Sequence, residues 1–246
     1  MGIDMEKMRA RRTALDNKNG NNREMFGKPQ DGETTIRIVP TSDGDPFKDY
    51  WFHYNVGNNP GFLSPKKNFG EEDALDSFVR KLYKEGTEDS IKMAKSLSAR
   101  QRFFAPVVVR GEEDKGVRVW GFGKMAYEKL LNLVLNPEYG DITDSETGTD
   151  LVIRYGKPAG ASFPQTEITP RRRPSPLCDD ETKSAEWLDT VPNFDDLFER
   201  KSPEDVETIL DEYLSGNVDD NASGDVEKYN AETGDSVDKA FSELLS

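Results

Sequence analysis

A mainly β fold with added helices is what this sequence predicts. Three observations predict it: short β-branched or aromatic runs with period-two alternation, turn residues between those runs, and only a few windows with helical spacing. The 246 residues leave room for one medium domain with appendages rather than two full domains. Hydrophobic residues make up 34% and charged residues 33%, so part of the chain is expected outside any core.

In chain order, residues 1–20 form a basic N-terminal segment, with a short helix over Glu6 to Leu15 stopped by Asn and Gly. A helix that short is marginal alone and should order against a partner. Thr34 to Val39 alternates like a half-buried strand and stops at Pro40; Tyr50 to Tyr54 is a second, aromatic strand broken by Asn58 to Gly61. Asp76 to Lys84 and Ile91 to Leu97 read as short helices. Phe103 to Val109 and Val117 to Phe122 read as a hairpin about Gly111 to Gly116. Lys124 to Leu135 is a helix, and Asp150 to Tyr155 a last strand. Short strands around one intervening helix fit a small Greek-key barrel, of which the OB fold is a natural member. The core is expected over residues 21–185, with a small helical lobe over 53–97. Residues 186–246 are expected to be an acidic partner-binding region, with short amphipathic helices (Phe194, Leu197, Phe198; Val206, Ile209, Leu210) and a disordered tail.

The net charge of −14 is unevenly placed. Residues 1–178 hold 28 Lys and Arg against 26 Asp and Glu, whereas residues 179–246 hold 5 against 21. A body near +2 carrying an end near −16 suits a nucleic-acid binder with an acidic interaction tail. The single cysteine, Cys178, excludes an internal disulfide framework and suits a reducing compartment. No stretch has the length of a transmembrane helix, and residues 1–20 lack the apolar centre of a signal peptide, so no membrane partner is expected.

Aromatic and cationic residues are interleaved along the expected strands. Single-strand binders need flat faces on which bases stack and cations along the phosphate track. Arg118, Trp120 and Phe122 share one face by alternation, and an arginine on that face suggests that it is open to solvent. Tyr54, Phe103, Phe104, Trp120 and Phe122 are the expected stacking residues, with Tyr155 beside Arg154. Lys66, Lys67, Arg100, Arg102, Arg118, Arg154, Arg171, Arg172 and Arg173 are the expected phosphate contacts. The last three lie between prolines, where neither a helix nor a central strand can form, and are placed to clamp phosphate. The acidic tail would compete for the same groove at high effective concentration. No catalytic residue is expected: there is no phosphate-binding G-x-x-x-x-G-K-[ST] loop and no Cys–His pairing, and the acid pairs Glu71-Glu72 and Asp179-Asp180 read as solvated charge. Two other classes remain open: an acidic adaptor or chaperone acting through the C-terminal region, and a metal-dependent phosphodiesterase.

Several ordered motifs resemble one family. Arg9 to Leu15, Thr35 to Pro40, Arg102 to Val109, Val117 to Lys124, Val191 to Asp196 and the acidic end at Leu244-Leu245 resemble the single-stranded-DNA-binding, helix-destabilising proteins of T-even-type bacteriophages, in a marine-phage-like version. The resemblance implies cooperative, non-enzymatic coating of single-stranded DNA during phage replication, recombination and repair, in the cytoplasm of an infected bacterium. It implies that Arg9, Arg11, Arg12 and Thr13 dock on a neighbouring subunit, and that the tail recruits replication and recombination proteins. The family's zinc subdomain is represented here only by His53, with Ser64, Asp73 and Asp76 at the positions of its cysteines. Tetrahedral zinc favours thiolate and imidazole ligands, so no zinc or other cofactor is expected. Packing of Leu75, Phe78, Val79 and Leu82 must then hold the lobe, with Asp73 placed to cap its helix.

Overall fold

The long run Arg100–Val109, rich in β-branched and aromatic side chains and containing a single proline, Pro106, forms the strand on which the sheet is built, β5. The computed structural model describes residues 25–26, 32–157, 164–198 and 200–215. The basic N-terminal segment with Arg9, Arg11, Arg12 and Thr13, and the tail beyond residue 215, lie outside the described residues.

One edge of β5 takes two strands end to end. Its first half pairs with β3 (Lys48–Val56), its second half with β2 (Gly32–Ile38). The other edge takes β6 (Arg118–Phe122), to which the short β1 (Met25–Phe26) adds in parallel. β4 (Asn59–Leu63) pairs with β3, and β7 (Leu151–Gly156) and β8 (Gln165–Pro170) extend the sheet from β2. All pairings except that of β1 are antiparallel, and among the described residues no pairing joins β8 back to β1. Among the described residues six α-helices accompany the sheet: α1 (Pro65–Phe69), α2 (Ala74–Glu85), α3 (Glu88–Leu97), α4 (Lys124–Val134), α5 (Glu181–Asp189) and α6 (Pro203–Ser215). The architecture is thus a mixed α/β open sheet, with more helix than the period-two runs alone indicate.

Five elements were not read from the sequence: β1, α5 and, for local reasons, the start of β4, β8 and α1. The turn between β3 and β4 falls at Gly57-Asn58, so Asn59 to Gly61 belongs to a strand; Pro60 is tolerated because β4 pairs on one side only. β8 alternates between exposed and partly buried positions, but Ile168, which packs on the core, is its one large apolar side chain and gives little strand signal. α1 is short, but Ser64 caps it by accepting from the Lys67 amide, and Pro65 begins it. The lobe forms as its sequence predicts: Asp73 caps α2 by accepting from the Asp76 amide, Gly86 in the left-handed region stops it, and Leu75, Val79 and Leu82 are buried with Phe78 beside them.

Both faces of the sheet are covered. On one, Phe103, Trp120, Phe122, Ile36 and Ile153 pack under α4 through Ala126 and Leu130. On the other, Leu177 and Trp187 lie over Val39 and Val108, and Phe194 and Phe198 over Phe52, Tyr54 and Phe104. α6 completes the lobe by burying Val206, Ile209 and Leu210 against Leu75 and Leu97. Residues 186–215, expected as a partner-binding region, are therefore built into the folded body. No helix among the described residues is long and apolar enough to cross a membrane.

This double cover corrects the expectation of an open aromatic strip. Trp120 is 2% exposed, Phe122 3%, Phe103 6%, Phe104 0% and Tyr54 4%. Their flat faces are taken by other rings: Trp120 lies against Phe122 with centroids 4.4 Å apart, Phe103 stacks on Tyr127 at 4.0 Å, and Phe104 meets Phe198 at 5.0 Å. Arg118 does share the side of Trp120 and Phe122, opposite the core residue Val107, but that side is interior. Its stem is buried while its guanidinium reaches Glu112 at 2.7 Å, so an arginine here does not mark an exposed face. Trp120→Ala is accordingly expected to cost about 3–5 kcal/mol of stability, the usual range for emptying a buried aromatic site. A urea midpoint equal to that of the parent protein would return this ring to the surface.

Candidate nucleic-acid interface

β8 ends at Pro170, and the chain continues as Arg171-Arg-Arg-Pro-Ser-Pro176, bending at Arg172 and Arg173 and fixed by backbone hydrogen bonds on either side of the bend. The Arg171 amide donates to the Asp150 carbonyl at 2.8 Å, that of Ser175 to Gly148 at 3.0 Å, and that of Leu177 to Ser145 at 2.7 Å. Beneath it lies a cluster that the sequence reading missed. Arg37 is fully buried; its Nη1 donates to Asp150 Oδ1 at 3.2 Å, and its Nη2 to the carbonyls of Asp144, at 3.0 Å, and Ser175. Arg110 holds the same carboxylate through Nε and Nη2 at 2.8–3.2 Å, and donates to the carbonyls of Pro176 at 2.9 Å and Leu177 at 2.8 Å. Burial pushes the Arg37 guanidinium below its ordinary value, against the pull of Asp150. Arg171, Arg172 and Arg173 are exposed on the outer side, Arg171 donating to Thr35 Oγ1 at 3.1 Å. No ion pair joins these three to a carboxylate among the described residues. The alternation of Thr34 to Val39 placed Arg37 on a wet face; the segment over it makes that face interior.

At the far end of β7 and β8 an open cavity of about 450 Å³ is lined by Tyr155, Arg154, Lys157, Gln165, Glu33 and Glu167, with Gly32 at its floor. Tyr155 is half-buried opposite Gly32. Arg154 is exposed and held by Glu33 through Nε and Nη2 at 3.0 and 2.8 Å, an interaction that raises its pKa. Two carboxylates at the rim leave this end far less cationic than the arginine run.

The remaining expected cations fall elsewhere. Lys66 and Lys67 are exposed on α1, and Lys67 Nζ lies 5.4 Å from the centroid of the half-buried Trp51. Asn68 fixes that tryptophan's backbone, accepting from its amide at 2.9 Å and donating to its carbonyl at 2.7 Å. Trp51 was absent from the expected stacking residues because alternation grouped it with His53; its partial exposure beside lysine is visible only in three dimensions. Arg100 and Arg102 are half-buried at the start of β5, across from Phe52 and Tyr50, and burial lowers the Arg100 pKa. The expected site residues thus gather into separate groups: the β5–β6 hairpin carries mostly buried rings and half-buried or carboxylate-paired arginines, while the β7–β8 hairpin joins Arg154 and Tyr155 to the exposed Arg171–Arg173.

Three of the positions that resemble zinc ligands converge. His53 Nε2 faces Asp73 Oδ2 at 3.1 Å and its Nδ1 faces the Leu97 carbonyl at 2.9 Å, while Ser64 Oγ donates to Asp73 Oδ2 at 2.6 Å. Asp76 turns away to Arg80 at 2.5 Å. Every donor is engaged by another member, and no thiolate is present. This set does not fit zinc; it is a buried hydrogen-bond cluster in the same place. Burial pushes Asp73 up, but the hydrogen bond and charge of His53, with those of Ser64 and the Asp76 amide, outweigh it and hold the carboxyl below its ordinary value.

Compared with known proteins, the sequence matches no family model and no curated protein.

The lobe therefore depends on one carboxylate. Asp73→Ala removes a helix cap and takes away the acceptor shared by His53 Nε2 and the Ser64 hydroxyl, for an expected loss of about 3–5 kcal/mol at neutral pH. Because the folded pKa is depressed, that contribution is present above the ordinary aspartate value of 3.8 and is lost as the pH falls through the lower folded value. Urea midpoints of parent and variant should differ at pH 7 and converge in acid; a gap that widens in acid contradicts this assignment.

Proposed function

We propose that this protein binds single-stranded DNA without chemistry, along an edge of its sheet rather than across a face. The observation that carries the reading is the Arg171–Arg173 run: three adjacent guanidinium groups, exposed, on a segment anchored by backbone hydrogen bonds at Arg171 and Ser175, and free of carboxylate partners among the described residues. Adjacent exposed arginines suit the phosphates of a single strand, which adapt to their spacing. The half-buried rings of Tyr155, at the other end of the same hairpin, and of Trp51, beneath Lys67, supply faces for bases. Trp120, Phe122, Phe103, Phe104 and Tyr54 hold the platform together and have no part in stacking.

The resemblance of the ordered motifs to phage helix-destabilising proteins supports the same reading, as does the placement of acidic residues beyond the body. On it, the sheet is an OB-like platform, the basic N-terminal segment joins neighbouring subunits on DNA, and the acidic tail recruits replication and recombination proteins in the infected cell's cytoplasm.

Titration against oligo(dT) at several salt concentrations tests the reading. Log K should fall with log salt by about 0.7 per phosphate neutralised, and no cleavage should follow when magnesium or manganese is added. Replacing all three arginines (Arg171→Gln, Arg172→Gln, Arg173→Gln) should weaken binding and reduce the slope by about 2. Parent-level affinity and slope in a folded triple variant sink this reading.

A further inference from the structure

We infer that Arg110 and Arg37, gathered on Asp150, are positioning residues for DNA binding: they hold residues 171–177 in the one course that turns the three arginines outward. The inference rests on the proposed reading and assigns a role to a buried cluster that touches no DNA.

The geometry is directional in a way that apolar packing is not. A single carboxylate faces two guanidinium groups, so the surplus positive charge is met by carbonyl oxygens of Asp144, Ser175, Pro176 and Leu177. Those of Ser175 to Leu177 must therefore point inward. The Asp150 backbone carbonyl accepts from the Arg171 amide, so the residue that gathers the guanidinium groups also sets where the arginine run begins. Between these anchors lie Arg172, Arg173 and Pro174, all exposed. Three adjacent like charges repel, and an unanchored run would sample many conformations that binding must then restrict. The cluster orders the run beforehand. Arg110 sits at the rim of the cluster, its side chain 21% exposed against 0% for Arg37, which makes it the residue to alter.

Arg110→Lys keeps the charge but loses the planar fork that spans Asp150 and the two carbonyls. Affinity for oligo(dT) should fall about tenfold, the entropy of re-ordering about one residue of backbone. The salt slope should fall as well, although no charge has been removed. In the triple arginine-to-glutamine background the same change should have no further effect. A merely structural role would lower thermal stability while leaving the slope at the parent value, and that result overturns the inference with the DNA reading intact. Equal losses in both backgrounds also overturn it, because Arg110 would then meet phosphate itself. Parent-level binding by the triple variant overturns the DNA reading and this inference together. Should Arg110→Lys fail to fold, Pro174→Gly loosens the run without touching the buried cluster; a parent-level affinity and slope for that variant overturn the inference.

Discussion

Two guanidinium groups held by the single buried carboxylate of Asp150 govern much of the molecule's arrangement. A cluster of that charge cannot be closed by side chains alone, and backbone carbonyls from two segments complete it. The loop before β7 must come within contact distance. Gly148 meets this need, since a Cβ there would lie 2.5 Å from the Asp144 carbonyl oxygen and 2.7 Å from Arg37 Nη2. The segment after β8 must bend over the second face of the sheet and bring Leu177 down upon Val39 and Val108. Once the chain has crossed there, Trp187, Phe194 and Phe198 follow over the same face. Breaking a buried pair of this kind is far more damaging than never having built it, because the remaining charge stays in a dry site.

A sheet covered on both faces has consequences for recognition. A binder that lays a strand across a bare β surface needs one face kept free, with its rings turned outward. Here α4 occupies one face and the C-terminal segment the other, so rings and strand centres form the interior. Among the described residues, the groups that project past the cover include the end of β8, the rim of the β7–β8 hairpin and the lysines of α1. These are ends and edges, where side chains leave the pleat and backbone is anchored by turns and caps. Position on such a scaffold is set by the loops' hydrogen bonds rather than by strand register.

Much of the fold was legible in the residues. Strand runs such as Thr34 to Val39 and Phe103 to Val109 and the helix at Lys124 stand where periodicity places them, and Asp73 caps its helix. What stayed hidden was which faces are covered. Period-two alternation assigns Arg37 and Ile36 to opposite sides of a strand, but says nothing about whether a segment more than a hundred residues later closes the polar side. The same gap explains Trp120 and Arg118: alternation put them together correctly, and the inference from an arginine to open solvent failed because a long side chain can bury its stem and still carry its charge to a rim carboxylate. β8 and α1 were missed for an opposite reason. Their stability comes from pairing, capping and contact, and a single large apolar side chain in each, Ile168 and Phe69, gives little periodic signal.

Charge in this chain must be judged by what each cation meets rather than by totals. The body's near balance of positive and negative residues conceals large differences among its arginines. Arg118 is taken by Glu112, Arg154 by Glu33, Arg80 by Asp76, Arg200 by Glu71, and Arg37 and Arg110 by Asp150. A phosphate approaching any of these must compete with a carboxylate already in place, and much of its attraction is offset in advance. Arg171, Arg172 and Arg173 differ because their neighbours in sequence are proline and serine, and the carboxylate of Asp150, whose backbone carbonyl accepts from the Arg171 amide, is occupied by other guanidinium groups. The buried cluster therefore does two electrostatic tasks with one carboxylate: it neutralises charge inside the fold and leaves the charge outside it unopposed. Such an arrangement favours an anionic polymer over a surface patch of equal formal charge, because the field of the exposed run is not cancelled at short range.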